Sequence, residues 1–336
     1  MLTAALVKQA ARALGADAVA IGNIERWAGA PLQMDPRQIM PEARSVIAMA
    51  FRVMRGSLRG IEEGTFFSNY SSMGYGGLTY LYIPMTVMNL CKIIEDDGYE
   101  ALPMGHQSDW RAIDNVGGAR KHYSRPTRPG QAAPDVMVHL RIAAYLCGLG
   151  EIGYSKMLLT PEFGPRNRVG IVITEAELAP DPILAQGTLC NSCMACVREC
   201  PAGAISPTKR VRVNLAGHDV EWGDVDCQAC DTAFRGGLIS DTPVPSEEAY
   251  MEPVGQRDVA RAPWTPFFKK PRNLYNTGQA ICGARGCTRA CMISLEKRGV
   301  LKNQFRQPFR RRAPWSVDWT TPADADRTHP DAKEAD

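Results

Sequence analysis

The sequence has no run of eighteen or more apolar residues, so composition gives no sign of a transmembrane helix. The amino-terminal stretch MLTAALVKQAARALGADAVAIG lacks a basic region followed by an apolar core, and it lacks a twin-arginine pair. Lys8 and Arg12 stand inside an amphipathic pattern instead. The expectation is a cytoplasmic protein, whose reducing surroundings disfavour disulfides and favour metal ligation by cysteine. A strong charge of either sign is also missing. The formal net charge of +3 argues neither for nor against a nucleic-acid partner. No internal repeat is visible. Cysteine is scarce in the first half, where only Cys91 and Cys147 precede residue 190, and dense thereafter.

With 336 residues the chain can bury a core without staples, and its length suggests about two domains. Leu2, Leu6, Ala10 and Leu14 recur at helical spacing, and Gly15 closes the run. The stretches AVAIG (18–22), SVIAMAF (45–51) and RVGIVIT (168–174) read as strands. GLTYLYIPMTVMNLCKIIEDDGYEALP reads as a loop entering a helix, with Ile83, Val87, Leu90, Cys91 and Ile94 on one face. Residues 134–150 read as another helix, into which Cys147 packs. Helices alternating with short apolar strands predict an α/β sandwich.

After about residue 185, cysteine, glycine and proline rise and periodicity fades, as in a small metal-organised domain. Residues 231–279 are loop-rich, and 290–300 predict a short helix. The polar, proline-punctuated end predicts disorder. The expected units are 1–184, 185–300 and a carboxy-terminal wrap and tail over 301–336.

The stretch LCNSCMACVRECPAGAIS (189–206) carries C-x2-C-x2-C-x3-C-P. Three thiolates at two-residue gaps can wrap one face of a cubane, and the fourth then serves a second cluster. A zinc site more often takes two separated C-x2-C pairs. The second set comes from Cys227 and Cys230, in DVDCQACDTAF, and from Cys282, Cys287 and Cys291, in ICGARGCTRACMI. We assign Cys190, Cys193, Cys196 and Cys291 to one [4Fe–4S] cluster. Cys200, Cys282, Cys287 and either Cys227 or Cys230 would hold the other; zinc or idle thiols are the alternative for this irregular set. Two such clusters form an electron wire, not a reaction centre.

Ahead of the run stands GLGEIGYSKMLLTPEFGPRNRVGIVITEAELAPD (148–181). This stretch, joined to the cysteine run, resembles the corrinoid-dependent reductases, namely reductive dehalogenases and epoxyqueuosine reductases, and is more similar to the former. IMPEARSVIAMAF is similar to a segment both share. The resemblance implies an α+β protein: a nitroreductase-like α/β sandwich that binds a cobalamin or related corrinoid, with a ferredoxin-like domain carrying two [4Fe–4S] clusters. It implies reductive cleavage of a carbon–halogen or similar bond in a small organic substrate, with electrons from a ferredoxin or flavodoxin. It implies no protein ligand on cobalt, and the chain has no D-x-H-x-x-G motif.

Gly148, Gly150, Gly153 and Gly164 would let backbone approach a large ligand closely. With Glu151, Arg166 and Arg168 they form the expected cofactor-binding set, the arginines holding a phosphate or propionamide edge. The resemblance implies a tyrosine proton donor with a basic neighbour. Lys156 matches the basic position, and Tyr80 or Tyr82 is favoured over Tyr70, Tyr75 and Tyr154. An epoxyqueuosine reductase would instead use an aspartate near Asp135. His139 reads as a core histidine. The basic stretch KNQFRQPFRRRAPW, with Phe305, Phe309 and Trp315 among its cations, suits RNA, an acidic electron donor, or a segment wrapping the sandwich. A tRNA substrate is the rival to a small molecule, and a corrinoid-free electron-transfer protein is the rival of another class.

Overall fold

A computed structural model of the chain describes residues 2–105, 125–234, 237–240, 258–261 and 281–313. Helix α1 (Ala4–Ala13) starts where the Thr3 hydroxyl accepts the Leu6 N–H at 3.3 Å. Strands β1 (Ala18–Asn23) and β2 (Ser45–Arg52) follow, then α2 (Arg59–Glu63). A π-helical segment, Tyr70–Tyr82, runs into α3 (Ile83–Asp96), and β3 (Ala101–Met104) comes next. After α4 (Leu140–Leu146) come the two-residue strands β4 (Glu151–Ile152) and β5 (Leu158–Leu159), then β6 (Asn167–Thr174). The cysteine-rich part holds α5 (Ala195–Arg198), β7 (Ile205–Leu215), β8 (His218–Val225), α6 (Cys227–Phe234), β9 (Gly237–Ser240), β10 (Asp258–Arg261), α7 (Ile281–Arg285) and α8 (Cys287–Arg298).

The central sheet has the order β1-β2-β6-β3, every neighbouring pair antiparallel. Side chains alternate across it with period two. Ile47, Met49 and Phe51 of β2 face α1 and α3, where they meet Val7, Ala11, Ile83, Val87 and Leu90. Val46, Ala48 and Ala50 face the other way, onto Ala143, Tyr145 and Leu146 of α4. Both faces are covered, which is why SVIAMAF is apolar throughout rather than alternating. At Gly170 a Cβ would lie 2.6 Å from Ile83 Cγ2 and 2.9 Å from Val87 Cγ1, so the bare backbone lets α3 seat on the sheet.

Three features depart from the pattern read in the sequence. The stretch before α3 is helical from Tyr70, not a loop, because i→i+5 bonding changes the period and hides the helix from a 3.6-residue search. Tyr70–Asp96 is long and apolar enough, by length and composition alone, to cross a membrane, yet Ile83, Val87, Leu90 and Ile94 are buried against the sheet. The helix expected over 134–150 is confined to Leu140–Leu146; His139 is extended, and its Nδ1 accepts the Ile142 N–H as a cap. The β7–β8 hairpin, unforeseen in the sequence, plugs Val220 and Trp222 into the core beside Tyr145.

Residues 301–313 lie along the body as a strap. Asn303 accepts Arg166 Nη2 at 2.8 Å, and Arg55 stacks 3.6 Å from the Phe305 ring centre. Arg310 and Arg312 pair with Glu63, and Arg311 with Glu199. Much of the positive charge read as an RNA or donor surface is therefore engaged within the chain. Trp315, the polar tail and most of 231–279 lie outside the described residues.

Candidate metal centre and active site

The loop from Cys190 to Cys200 winds tightly because Ser192 and Met194 take left-handed backbone angles, φ 52 and 60. Such conformations cost energy in residues with side chains and persist where the surroundings enforce them. The result is one cavity lined by Cys190, Cys193, Cys196 and, from α8, Cys291, with Tyr154, Leu159, Leu189 and Leu295 as apolar walls. The Tyr154 N–H donates to Cys190 Sγ at 3.3 Å.

Burial, then the neighbouring Cys190 and Cys193 thiols, push Cys196 up to about 11. Burial and the same three loop thiols raise Cys291 well above the ordinary range. Cys193 goes the other way. Burial opposes ionisation there, but the Ser294 hydroxyl, the Ala195 N–H and the nearby Arg198 and Arg298 outweigh it and lower the thiol.

A second group forms beside the first. Burial raises Cys282 well above its ordinary value, and Cys287, Cys230 and Cys200 add to it. Burial and then Cys200 raise Cys287. The Cys230 sulfur is pushed up to about 11 by its own burial and then by Cys287 and Cys200, although the residue keeps an exposed side. Cys227 is exposed as well and acts on Cys230. The two tetrads are thus Cys190, Cys193, Cys196, Cys291 and Cys200, Cys230, Cys282, Cys287. Between them lie Tyr154, Ile205 and Val197.

Among the described residues no three Cys, His, Asp or Glu side chains are arranged to hold a single metal ion. Four sulfurs lining one cavity can take the corners of a cubane. An array of partly buried thiols can become a thiolate set when a cationic iron core supplies the charge.

Two buried carboxylates anchor this region. Glu151, fully buried on β4, accepts the Cys190 N–H. Burial raises its pKa, and the backbone N–H groups of Cys190, Leu189, Thr188 and Gly187 oppose the rise. Glu62 of α2 takes a bidentate grip on Arg289, which lies between Cys287 and Cys291 on α8; Arg289 also reaches Glu199, next to Cys200, at 2.8 Å.

Next to the second tetrad lies a cavity of about 240 Å³, lined by Tyr75, Thr79, Ile83, Leu140, Arg141, Met157, Leu158, Asn167, Arg168, Val169 and Phe234. Arg168 stands 4.5 Å from the Tyr75 ring centre, and its Nη2 is 3.5 Å from the Tyr70 hydroxyl. The Tyr75 and Tyr80 hydroxyls are 3.3 Å apart. Burial lifts Tyr75 above the usual tyrosine range, the Tyr80 hydrogen bond adds to it, and Arg168 pulls the other way. Arg141 is lowered by burial and then by Arg168, while Cys287 and Cys230 favour its charge. That guanidinium links the cavity to the tetrad.

The residues singled out in the sequence fall in several places. Arg168 lines the cavity. Tyr80 lies one hydroxyl behind it, against Tyr75. Tyr82 is exposed, edge-on to Phe51, with its hydroxyl near Gly15 O. Lys156 Nζ sits 5.4 Å from the Trp222 ring centre, and its carbonyl accepts Arg141 Nη1. The space beside the expected glycine cradle is taken by the protein itself. A Cβ on Gly148 would meet Pro182 O at 2.2 Å, on Gly150 Leu159 O at 2.2 Å, on Gly153 Leu159 Cδ1 at 2.8 Å and on Gly164 Leu295 Cδ1 at 2.8 Å. Arg166 is a buried strut between Val53 O and Asn303, its pKa lowered by burial to about 10. Arg141 and the pairing of Tyr75 with Arg168 were not foreseen; a helical reading from Tyr70 onward would have put Tyr75 on a packed face.

No family model matches the chain. Tetrachloroethene reductive dehalogenase of Desulfitobacterium hafniense is 44% identical over 109 residues, 29% of this chain and 20% of its own length. Epoxyqueuosine reductase of Listeria monocytogenes serovar 1/2a is 38% identical over 58 residues, 17% of this chain and 15% of its own. A catabolic reductive dehalogenase solved with 3-bromo-4-hydroxybenzoic acid matches at a TM-score of 0.44 with 20% identity, covering 68% of this chain and 28% of that one. The chain spans a fifth or less of the length of these two curated relatives, and both are oxidoreductases.

Proposed function

We propose that this chain, a relative of the reductive dehalogenases and epoxyqueuosine reductases, is an iron–sulfur, corrinoid-dependent reductase. It cleaves a carbon–halogen or similar bond in a small organic substrate. On this reading the sandwich is its nitroreductase-like half and the cysteine-rich part its ferredoxin-like half. The observation that carries the reading is adjacency: Arg141 belongs at once to the Tyr75–Arg168 cavity and to the surroundings of Cys230 and Cys287.

The residues fit two cubanes, one per tetrad. They fit a corrin along one edge. Arg141 and Arg168 offer N–H donors to peripheral amides, while Ile83, Leu140, Met157, Leu158 and Val169 give the flat ring an apolar floor. When bound, the cobamide supplies the low-valent metal and the clusters supply electrons one at a time.

The net reaction, R–X plus two electrons and one proton giving R–H and X⁻, asks the protein for a proton and a dry wall. Tyr75 holds that proton on its hydroxyl, because burial keeps it protonated through neutral pH. As it leaves, the Arg168 guanidinium stabilises the phenolate. Phe234, edge-on to Tyr75 at 5.3 Å, excludes water from this corner.

Purification without oxygen from cells supplied with cobalamin tests the reading. About eight irons, matching sulfide and one cobalt per chain are expected. Iron without retained or rebinding corrinoid favours an electron-transfer protein, and colourless material that dithionite does not bleach near 400 nm overturns the proposal. The match to an epoxyqueuosine reductase supports a second reading, with tRNA as substrate. There Asp135 is the residue at stake; it is buried, and its Oδ1 accepts Gln33 Nε2 at 2.9 Å. Loss of activity on tRNA in Asp135→Asn, with Tyr75→Phe active, would favour it.

A further inference from the structure

We infer that the face around Cys193 docks an acidic one-electron carrier protein; the inference rests on the reading that the first tetrad holds a cluster. Cys193 is exposed, whereas Cys196 is buried and Cys190 and Cys291 are half-buried. The adjoining Asn191 and Ser192 are exposed too. One corner of the tetrad therefore reaches solvent. Electron transfer weakens steeply with distance, so a donor gains most by approaching there.

The rim of that corner is cationic. Arg198 Nη1 donates to Cys193 O at 3.1 Å, and Arg298 Nη1 donates to Leu189 O at 2.7 Å. These bonds hold both guanidinium groups against the segment that carries Cys193. Lys297 is exposed at the same end of α8. The acids of these stretches are turned to other partners: Glu199 to Arg289 and Arg311, Glu296 to Arg55.

The cations come from both α5 and α8, so they form a patch of protein size rather than a pocket for a small reductant. A donor with an acidic face around its own redox centre matches it in sign, and such complementarity raises the association rate more than the final affinity. At each docking the carrier is oxidised by one electron and the chain gains one. Two dockings supply the pair needed per bond cleaved.

The test uses the anaerobic holoprotein mixed by stopped flow with reduced acidic [2Fe–2S] ferredoxin and, separately, flavodoxin hydroquinone, following bleaching near 400 nm. The second-order rate should fall about tenfold or more as salt rises from low to physiological strength. It should fall about as much in the Arg198→Glu, Lys297→Glu, Arg298→Glu variant, while dithionite still bleaches that variant fully. The single Lys297→Glu variant, which breaks no hydrogen bond described here, should show part of the loss and guards against a folding defect in the triple one. A rate indifferent to salt and to Lys297→Glu overturns the docking face. A holoprotein that dithionite itself cannot bleach overturns instead the cluster reading beneath it.

Discussion

Glu151 accepts the backbone N–H of Cys190, so the short strand that closes the glycine turn of the sandwich also grips the first residue of the cysteine loop. In Glu151→Ala the half-buried Cys190 N–H loses its acceptor, at a cost of about 1–3 kcal/mol. The variant should lose about four irons per chain, the content of one cluster, and its remaining colour should decay faster under a chelator. Glu151→Gln keeps an acceptor oxygen and should hold most of its iron. Equal iron in Glu151→Ala and the unaltered chain would remove the clamp from the account.

The proton donor can be separated from its neighbours by single-atom changes. Tyr75→Phe should lower single-turnover reduction of a halogenated probe by about 10²–10⁴-fold, the usual scale of general acid catalysis, with iron content unchanged. Tyr80→Phe should cost less, because that hydroxyl only supports Tyr75. Tyr82→Phe should cost nothing, since its hydroxyl points at Gly15 O. With Tyr75 held above the ordinary value of about 10, the rate should show no limb from its ionisation between pH 6 and 8.

The choice between the two cysteines of α6 is a measurement of iron. Cys230→Ser should drop the content to about four irons and erase one cluster signal in the reduced electron-spin spectrum, while Cys227→Ser should keep about eight. The structural ground is that the Cys230 and Cys200 charges act on Cys282. The opposite pattern would reassign the ligand.

That Cys190, Cys193, Cys196 and Cys291 share one cavity was legible because cluster ligation would fix residue type and spacing together. The three central strands β1, β2 and β6 were legible from apolar runs. The tyrosine that lines the cavity was not, since what sets Tyr75 apart from Tyr80 and Tyr82 is the helical phase of a π-segment, and no 3.6-residue pattern marks it. Arg166 and Arg168 look alike in GPRNRV, but one is a buried strut and the other faces the cavity, a difference decided by where Val53 and Asn303 arrive from distant parts of the chain. The glycines of 148–164 were expected to admit a large ligand, and the packing puts Pro182, Leu159 and Leu295 there instead.

His139 should make the fold sensitive to acid. Burial lowers its pKa to about 4, with Arg141 and Lys156 adding to the shift. The unfolded chain takes up the proton near pH 6.5 and the folded one only near 4, so between these values the unfolded state binds more protons and stability rises with pH. The contribution is complete above about pH 6.5 and is lost as pH falls toward 4. His139→Asn is the informative variant, because asparagine can still cap α4 through its side-chain oxygen but does not titrate. Denaturant midpoints of the anaerobic holoprotein should show the unaltered chain losing about 2 kcal/mol more than His139→Asn between pH 7 and 5. Parallel curves for the two proteins would mean that the imidazole is not held neutral by its surroundings, and that α4 tolerates charge at the edge of the cavity.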